Sequence, residues 1–290
     1  MYNKGNELIK LCRENNKKIS EIVIEKEIAE NNISYEELLD SMKEVLDTMI
    51  SSANSGLHKE IVSVSKLTGG NAKKVEDYKN KGNTICGDLI NSAIAKALST
   101  SEVNASMGKI VAAPTAGASG ILPSAIITVK EKYDFTEKDL IYGLFTAGAI
   151  GEIIAKNATI SGAEGGCQAE CGTAAAMAAA AIVEKIGGDV ETCLNAASFA
   201  LINIMGLVCD PVAGLVEFPC ALRNASGVVN ALISADLALA GLKSMIPFDE
   251  TVEAMYKVGK AMPESLRETA QGGIAATPTG DEIKRRILYL

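Results

Sequence analysis

Residues 172–185 read GTAAAMAAAAIVEK, small apolar side chains with almost no polar face. A surface helix shows one apolar stripe, so a helix that is apolar on every side is one buried among others. Reading outward, Ala221 to Lys243 is apolar nearly all round as well. Asp189 caps a helix to about Met205, and Thr136 caps another over Glu137 to about Lys156. Beyond them Asp249 caps a last amphipathic helix, Glu250 to Met262, that stops before Pro263. Toward the N-terminus, Ser34 followed by Glu37 is a capping box that opens a surface helix through about Met49. Ser20 similarly precedes an amphipathic surface run, Glu21 to Glu30. Strand signals are limited to short runs such as Lys109 to Ala112. The fold class expected is mainly α, with buried Ala/Gly-rich helices joined by Gly/Ser/Thr-rich loops.

The distribution of charge supports this layering. Residues 1–90 hold 28 Asp, Glu, Lys and Arg, against 13 in residues 141–246, so the first part is expected to be solvated and the latter to form the core. A peripheral helical segment over 1–80 and a helical domain over 81–290 follow, or one continuous domain over about 5–285. The whole chain, 290 residues with 48% apolar and 22% charged side chains, is composed like a globular protein rather than a disordered one. Its formal net charge of −8 gives a phosphate backbone or an anionic membrane no electrostatic attraction, so neither a nucleic acid nor a membrane surface is an expected partner. The start, MYNKGNELIKLCRENNKK, lacks the apolar stretch of a secretory signal. Thr192 to Cys209 is uncharged but carries Asn195, Ser198 and Asn203, and reads as a buried helix. A cytoplasmic protein is expected.

Four loops are rich in Gly, Ser and Thr: LTGGNA (67–72), APTAGASGILP (113–123), NATISGAEGGCQ (157–168) and QGGIAATPTG (271–280). Glycine lets backbone approach a ligand, and loops leading into helix N-termini aim free N–H groups at an anion such as a small carboxylate. Tight turns and close helix packing would use the same glycines.

Seven cysteines in such a chain read as core thiols, metal ligands or nucleophiles rather than disulfides. Cys167, Cys209 and Cys220 sit in or beside loops with unusual neighbours, GAEGGCQ, VCDPVAG and EFPCALRN. Their irregular spacing matches neither zinc ribbons nor ferredoxins, and by itself leaves a core role open. Cys171 lies four residues after Cys167, a spacing at which the two could share a helix face and pair. Cys12, Cys86 and Cys193 read as packing or surface thiols. Ser106 to Lys109 fits S-x-x-K, but the companion acyl-transfer motifs are absent. His58, the single histidine, stands among charged residues and reads as a solvated helix-end residue, so no histidine triad can be built.

Four ordered segments carry a resemblance: EVNASMGKIVAAPTAGASGILP (102–123), ISGAEGGCQAE (160–170), LVCDPVAGLVEFPC (207–220) and ETAQGGIAATPTG (268–280). Through them the chain resembles the alpha chain of the iron–sulfur-dependent L-serine dehydratase family, over most of its length and least over the first 60 residues. The resemblance implies a four-iron four-sulfur cluster on Cys167, Cys209 and Cys220, with Cys171 outside the ligand pattern. It implies a beta chain whose SSHT-type motif carries the catalytic histidine, and an assembly of alpha–beta pairs into a higher oligomer. Single-chain members end in a cysteine tail that reaches the cluster; this chain ends GDEIKRRILYL, so tail autoinhibition is not expected.

The implied reaction is elimination of water from L-serine, giving aminoacrylate that hydrolyses to pyruvate and ammonia. Three thiolates on a cluster of four irons leave one iron open as a Lewis acid. Thr68, Gly69, Gly70, Asn71, Asn104, Thr115, Ser119, Ser161 and Glu164 are the substrate-binding candidates, from loop composition and motif membership. Lys109, in the NASMGK loop, is the candidate internal base if burial beside the cluster deprotonates it. A related iron–sulfur lyase acting on L-cysteine, and a non-catalytic helical subunit, stand as alternatives.

Overall fold

The computed structural model describes residues 2–288; residues 1, 289 and 290 lie outside them, and with these the end of the tail read above. Among the described residues no strand forms, and the helices run α1 (Gly5–Asn15), α2 (Ile19–Asn31), α3 (Tyr35–Ser55), α4 (Asn71–Lys79), α5 (Gly87–Ala105), α6 (Ile121–Tyr133) and α7 (Glu137–Asn157). After them come α8 (Gly162–Gly165), α9 (Thr173–Ile186), α10 (Val190–Ile202), α11 (Cys220–Leu239), α12 (Phe248–Ala261) and α13 (Pro278–Leu288). The fold is mainly α, as the sequence predicts. The segment 109–112, which carries a strand signal, forms neither strand nor helix.

The alanine-rich stretch is the axis of the molecule. Every residue of α9 from Thr173 to Glu184 is buried, and α6, α7, α10 and α11 all pack against it. Small side chains on all faces are what let four helices surround a fifth. Gly151 of α7 shows how closely: a Cβ there would stand 3.0 Å from Met177 Sδ on α9. The remaining helices form a second shell, with α5 on α11, α3 on α5, α2 on α7, and α1 on α10.

The N-terminal helices are less solvated than their charge suggests. Ile19, Ser20, Ile22, Val23 and Ile24 of α2 are buried against α7, and one apolar cluster runs from Tyr2 to Met255. Ser34, Thr136 and Asp189 cap α3, α7 and α10 as expected, each accepting a hydrogen bond from the N–H three residues on. Ser20 does not cap α2. The helix begins one residue before it, and its first N–H groups, Ile19 N at 2.7 Å and Ser20 N at 3.3 Å, are taken by the buried carboxylate of Glu184 from α9. Asp249 lies inside α12 rather than at its cap, and accepts from Gly5 N (2.6 Å) and Asn6 N (3.1 Å) at the start of α1. At α4, whose N-cap is Gly70, the same service comes from Glu102 on α5, which accepts from Asn71 N and Ala72 N. Each is a negative group at the positive end of a helix.

Candidate metal centre

Four loops meet at the end of the bundle where α9 and α11 begin. The first is built by α8, Cys167 and a five-residue π-turn, Gln168–Gly172, that feeds directly into α9. Single π-turns mark places where a helix is re-aimed, often at functional sites. Gln168 locks this one: its carboxamide donates to Gly165 O and Met255 O and accepts from Gly206 N. The second loop carries Cys209, which is pinned on both sides by backbone, its N–H donating to Leu266 O (2.8 Å) and its carbonyl accepting from Glu268 N (2.7 Å). The third delivers Cys220 as the first residue of α11. In the fourth, Ala113–Gly120, Asn224 of α11 accepts from Gly120 N and donates to Gly117 O, holding the turn that presents Thr115.

Cys167, Glu170 and Cys209, all buried, offer ligand atoms that lie within 4.8 Å of one another. Both sulfurs stand 4.0 Å from Glu170 Oε2, and Thr115 Oγ1 donates to the other oxygen at 2.8 Å. The carboxylate fits only because its neighbour is glycine: a Cβ on Gly162 would come within 2.5 Å of Oε2 and 3.1 Å of Cys209 Sγ. Cys220 is buried and close enough to feel the charges of Cys167 and Glu170, but its sulfur is not among the three atoms that cluster. Cys171, outside the ligand pattern the resemblance implies, has its sulfur 3.9 Å from that of Cys167, as the four-residue spacing suggests.

Crowding sets the protonation of these groups. Hydrogen bonds from the Cys171 and Cys209 thiols outweigh burial and, with the Arg223 guanidinium, hold the Cys167 thiol well below the usual range. Cys209 is pushed far up by its hydrogen bond to Cys167 and by burial, and burial lifts Cys220 to about 12. Glu170 is raised to about 7, first by burial and then by the neighbouring Cys167 charge. Arg223, three residues into α11, is ion-paired to Asp210 at 2.5 Å, and Asp210 follows Cys209 in the chain.

The other predicted residues divide into two groups. Ser161 is the residue before α8, and Ser119 is buried with its hydroxyl on Ala116 O, both in loops that frame the thiols. Glu164, from the same loop as Ser161, is exposed. Thr68 and Ser65 instead donate to the two oxygens of Glu217, while Gly69 lies so near Val62 that a Cβ would stand 2.8 Å from its Cα. Gly70 and Asn71 start α4. Asn104 lines an open cleft of about 870 Å³ with Ser65, Lys66, Ala116 and Glu217. That cleft adjoins the thiol centre through Ala116 and Val216, the neighbours of Thr115 and Gly117. Lys109 is exposed, not buried beside the thiols. His58 is exposed just after α3, as expected.

Glu170, Asp210, Arg223 and Gln168 were not singled out in the sequence. A signal for two of them was present: Glu170 is the sole charge between Glu164 and Glu184, and Arg223 the sole charge between Glu217 and Asp236. Charge is expensive in such apolar surroundings and marks a paired or functional group.

The sequence model of the family described as "Serine dehydratase alpha chain" matches residues 14–275. The chain belongs to the serine dehydratase alpha chain family. It is 53% identical to the L-serine dehydratase alpha chain of Peptoniphilus asaccharolyticus, over 99% of each chain. It is 49% identical to the probable L-serine dehydratase alpha chain of Bacillus subtilis, over 99% of this chain and 95% of that one. To the L-serine dehydratase of Helicobacter pylori it is 35% identical over 95% of this chain, which spans 62% of that longer protein. No described helix is long and apolar enough to cross a membrane.

Proposed function

We propose that this chain is the alpha subunit of a cytoplasmic L-serine dehydratase, converting L-serine to pyruvate and ammonia, and that Cys167, Cys209 and Cys220 hold a four-iron four-sulfur cluster. The observation that carries the reading is the clustering of the buried Cys167 and Cys209 sulfurs with Glu170, with buried Cys220 near enough to feel their charges, in a chain of the serine dehydratase alpha chain family. The residues fit such a group: thiolates are the ligands iron–sulfur clusters select. Arg223 Nη1, buried without a hydrogen-bond partner, is a donor available to an anion. When bound, the cluster supplies an iron without a protein ligand, a Lewis acid for the departing serine hydroxyl.

The chain's own residues bind and orient. The cleft beside the centre brings the Asn104 and Ser65 side chains and the Lys66 ammonium to the amino acid, and Glu217, with Thr68 on its second oxygen, supplies a carboxylate for the substrate ammonium. Thr115 holds Glu170 at the inner end. Removal of the α-proton needs a base within about 3 Å. Lys109 and His58 are exposed and lie outside the thiol centre, so the base is assigned to a beta chain carrying an SSHT-type motif, in a higher oligomer of alpha–beta pairs.

Iron and sulfide analysis of the anaerobically purified chain, then pyruvate formation from L-serine and from L-cysteine with and without the beta chain, test this. The expected result is a cluster on the chain alone and turnover of serine only with the partner. A chain without iron, or preferential turnover of cysteine, would overturn it.

A further inference from the structure

The turn at 272–274 carries no proposed ligand, but its motif meets the centre twice, through Glu268 N on Cys209 O and, at the turn itself, through Asp210. Gly273 has φ +60, and a Cβ on it would stand 2.1 Å from Asp210 Oδ2. That oxygen accepts from Ile274 N at 2.8 Å, while Oδ1 takes Arg223 Nη2. Asp210 is 3% exposed, so its carboxylate has no freedom to turn elsewhere. The guanidinium is thereby fixed in orientation, and its second terminal nitrogen, Nη1, is buried with no partner. Both members of the pair are tethered beside proposed ligands, Asp210 next to Cys209 and Arg223 one helical turn after Cys220. A buried donor left unpaired costs free energy, and an oriented cation beside sulfur ligands is a means by which a protein sets a cluster's potential.

We propose that Asp210 and Arg223 form a positioning relay, in which the 272–274 turn fixes Asp210, Asp210 fixes Arg223, and Arg223 Nη1 donates to the Cys167 sulfur and the anionic group it holds. The relay rests on the cluster reading above. Its role is to balance the negative charge of the thiolates and their cluster, which favours the reduced form and keeps iron bound.

The test uses the reconstituted alpha–beta enzyme with Arg223→Lys, Arg223→Gln, Asp210→Asn and Gly273→Ala. Iron content, the reduction midpoint, the rate of iron loss to a chelator, and KM and kcat for serine are measured for each. Arg223→Gln is expected to shift the midpoint to more negative potential and to release iron several-fold faster, with Arg223→Lys falling between it and the parent, and Asp210→Asn, which frees the guanidinium but also removes a negative charge, is expected to release iron faster. Gly273→Ala, on a loop without ligands, is expected to move the midpoint in the same direction. A midpoint unchanged in Arg223→Gln and Arg223→Lys, both with full iron content, would overturn the relay. A rise in KM alone would equally overturn it, assigning Arg223 to the substrate carboxylate. Iron absent from the unsubstituted enzyme would instead remove the cluster reading, and the relay with it.

Discussion

At Glu152 of α7, three donors meet one carboxylate: Lys26 Nζ at 2.5 Å, Lys156 Nζ at 2.7 Å and the Tyr2 hydroxyl at 2.9 Å. Burial raises its pKa, but hydrogen bonds from Lys156, Lys26 and Tyr2 outweigh burial and leave it below the ordinary value of 4.5. A carboxyl depressed in the folded state stabilises above its unfolded pKa, and the contribution is lost as pH falls through the folded value. Glu152→Gln is therefore expected to melt below the parent at neutral pH, with the gap closing as pH falls below the ordinary value of 4.5, as read by thermal melts across an acid series. At the centre, Cys167→Ser, Cys209→Ser and Cys220→Ser should each abolish the brown absorbance and bound iron. Cys12→Ser, at a thiol that burial pushes up to about 12, should leave both intact. A cluster retained in Cys209→Ser would remove the ligand assignment. Cys167, Cys209 and Cys220 stand out in sequence by their glycine and proline neighbours, though a ligand role comes only from the resemblance, and two of them, Cys167 and Cys209, cluster with Glu170. Glu170 is marked in sequence only as the sole charge of its stretch, because its contacts, Gly162, Thr115 and Cys209, come from three separate segments.

Helix starts show the same division between local and distant causes. Where the cap is the adjacent Ser, Thr or Asp, as at Ser34, Thr136 and Asp189, the sequence located it. At Lys4, Lys18 and Gly70 the N-cap side chain makes no such bond, and Asp249, Glu184 and Glu102 reach across from other helices. Pairing of that kind leaves no local pattern. Glu184, as buried as Glu102, also accepts from Thr146 Oγ1 at 2.6 Å. Glu184→Ala would leave the Ile19 and Ser20 N–H groups buried without that acceptor, a loss of about 2–3 kcal/mol, measurable as a lower denaturation midpoint with an unchanged slope. A slope that changed with the midpoint would point to altered compactness instead. The π-turn at 168–172 was likewise invisible: the stretch from Gly172 onward has helical composition, and only the packing of Gln168 against Met255 and Gly206 shows where the regular helix starts.

For the molecule as a whole, mainly-α architecture followed from the alanine-rich stretch because helices apolar on all faces leave few arrangements other than one packed around another. The burial of the N-terminal helices was hidden by their charged outer faces. An iron without a protein ligand is open to oxidants, so activity of the assembled enzyme is expected to decay in air and to return with ferrous iron and a thiol under anaerobic conditions. Stable activity through prolonged aeration would argue against an open iron. The long-range caps also bear on the order in which the chain is made. Gly5 and Asp249 are 244 residues apart, and Ile19 and Glu184 are 165 apart. At ribosomal rates of about 5–20 residues per second, the first helix waits roughly 10–50 s for the carboxylate that covers its start. The earliest residues to leave the ribosome are thus among the last to find their partners. Until those carboxylates emerge the starts of the two helices remain open to whatever nascent-chain factors meet them: α2 can be covered once Glu184 has been made, and α1 only when Asp249 has, late in translation.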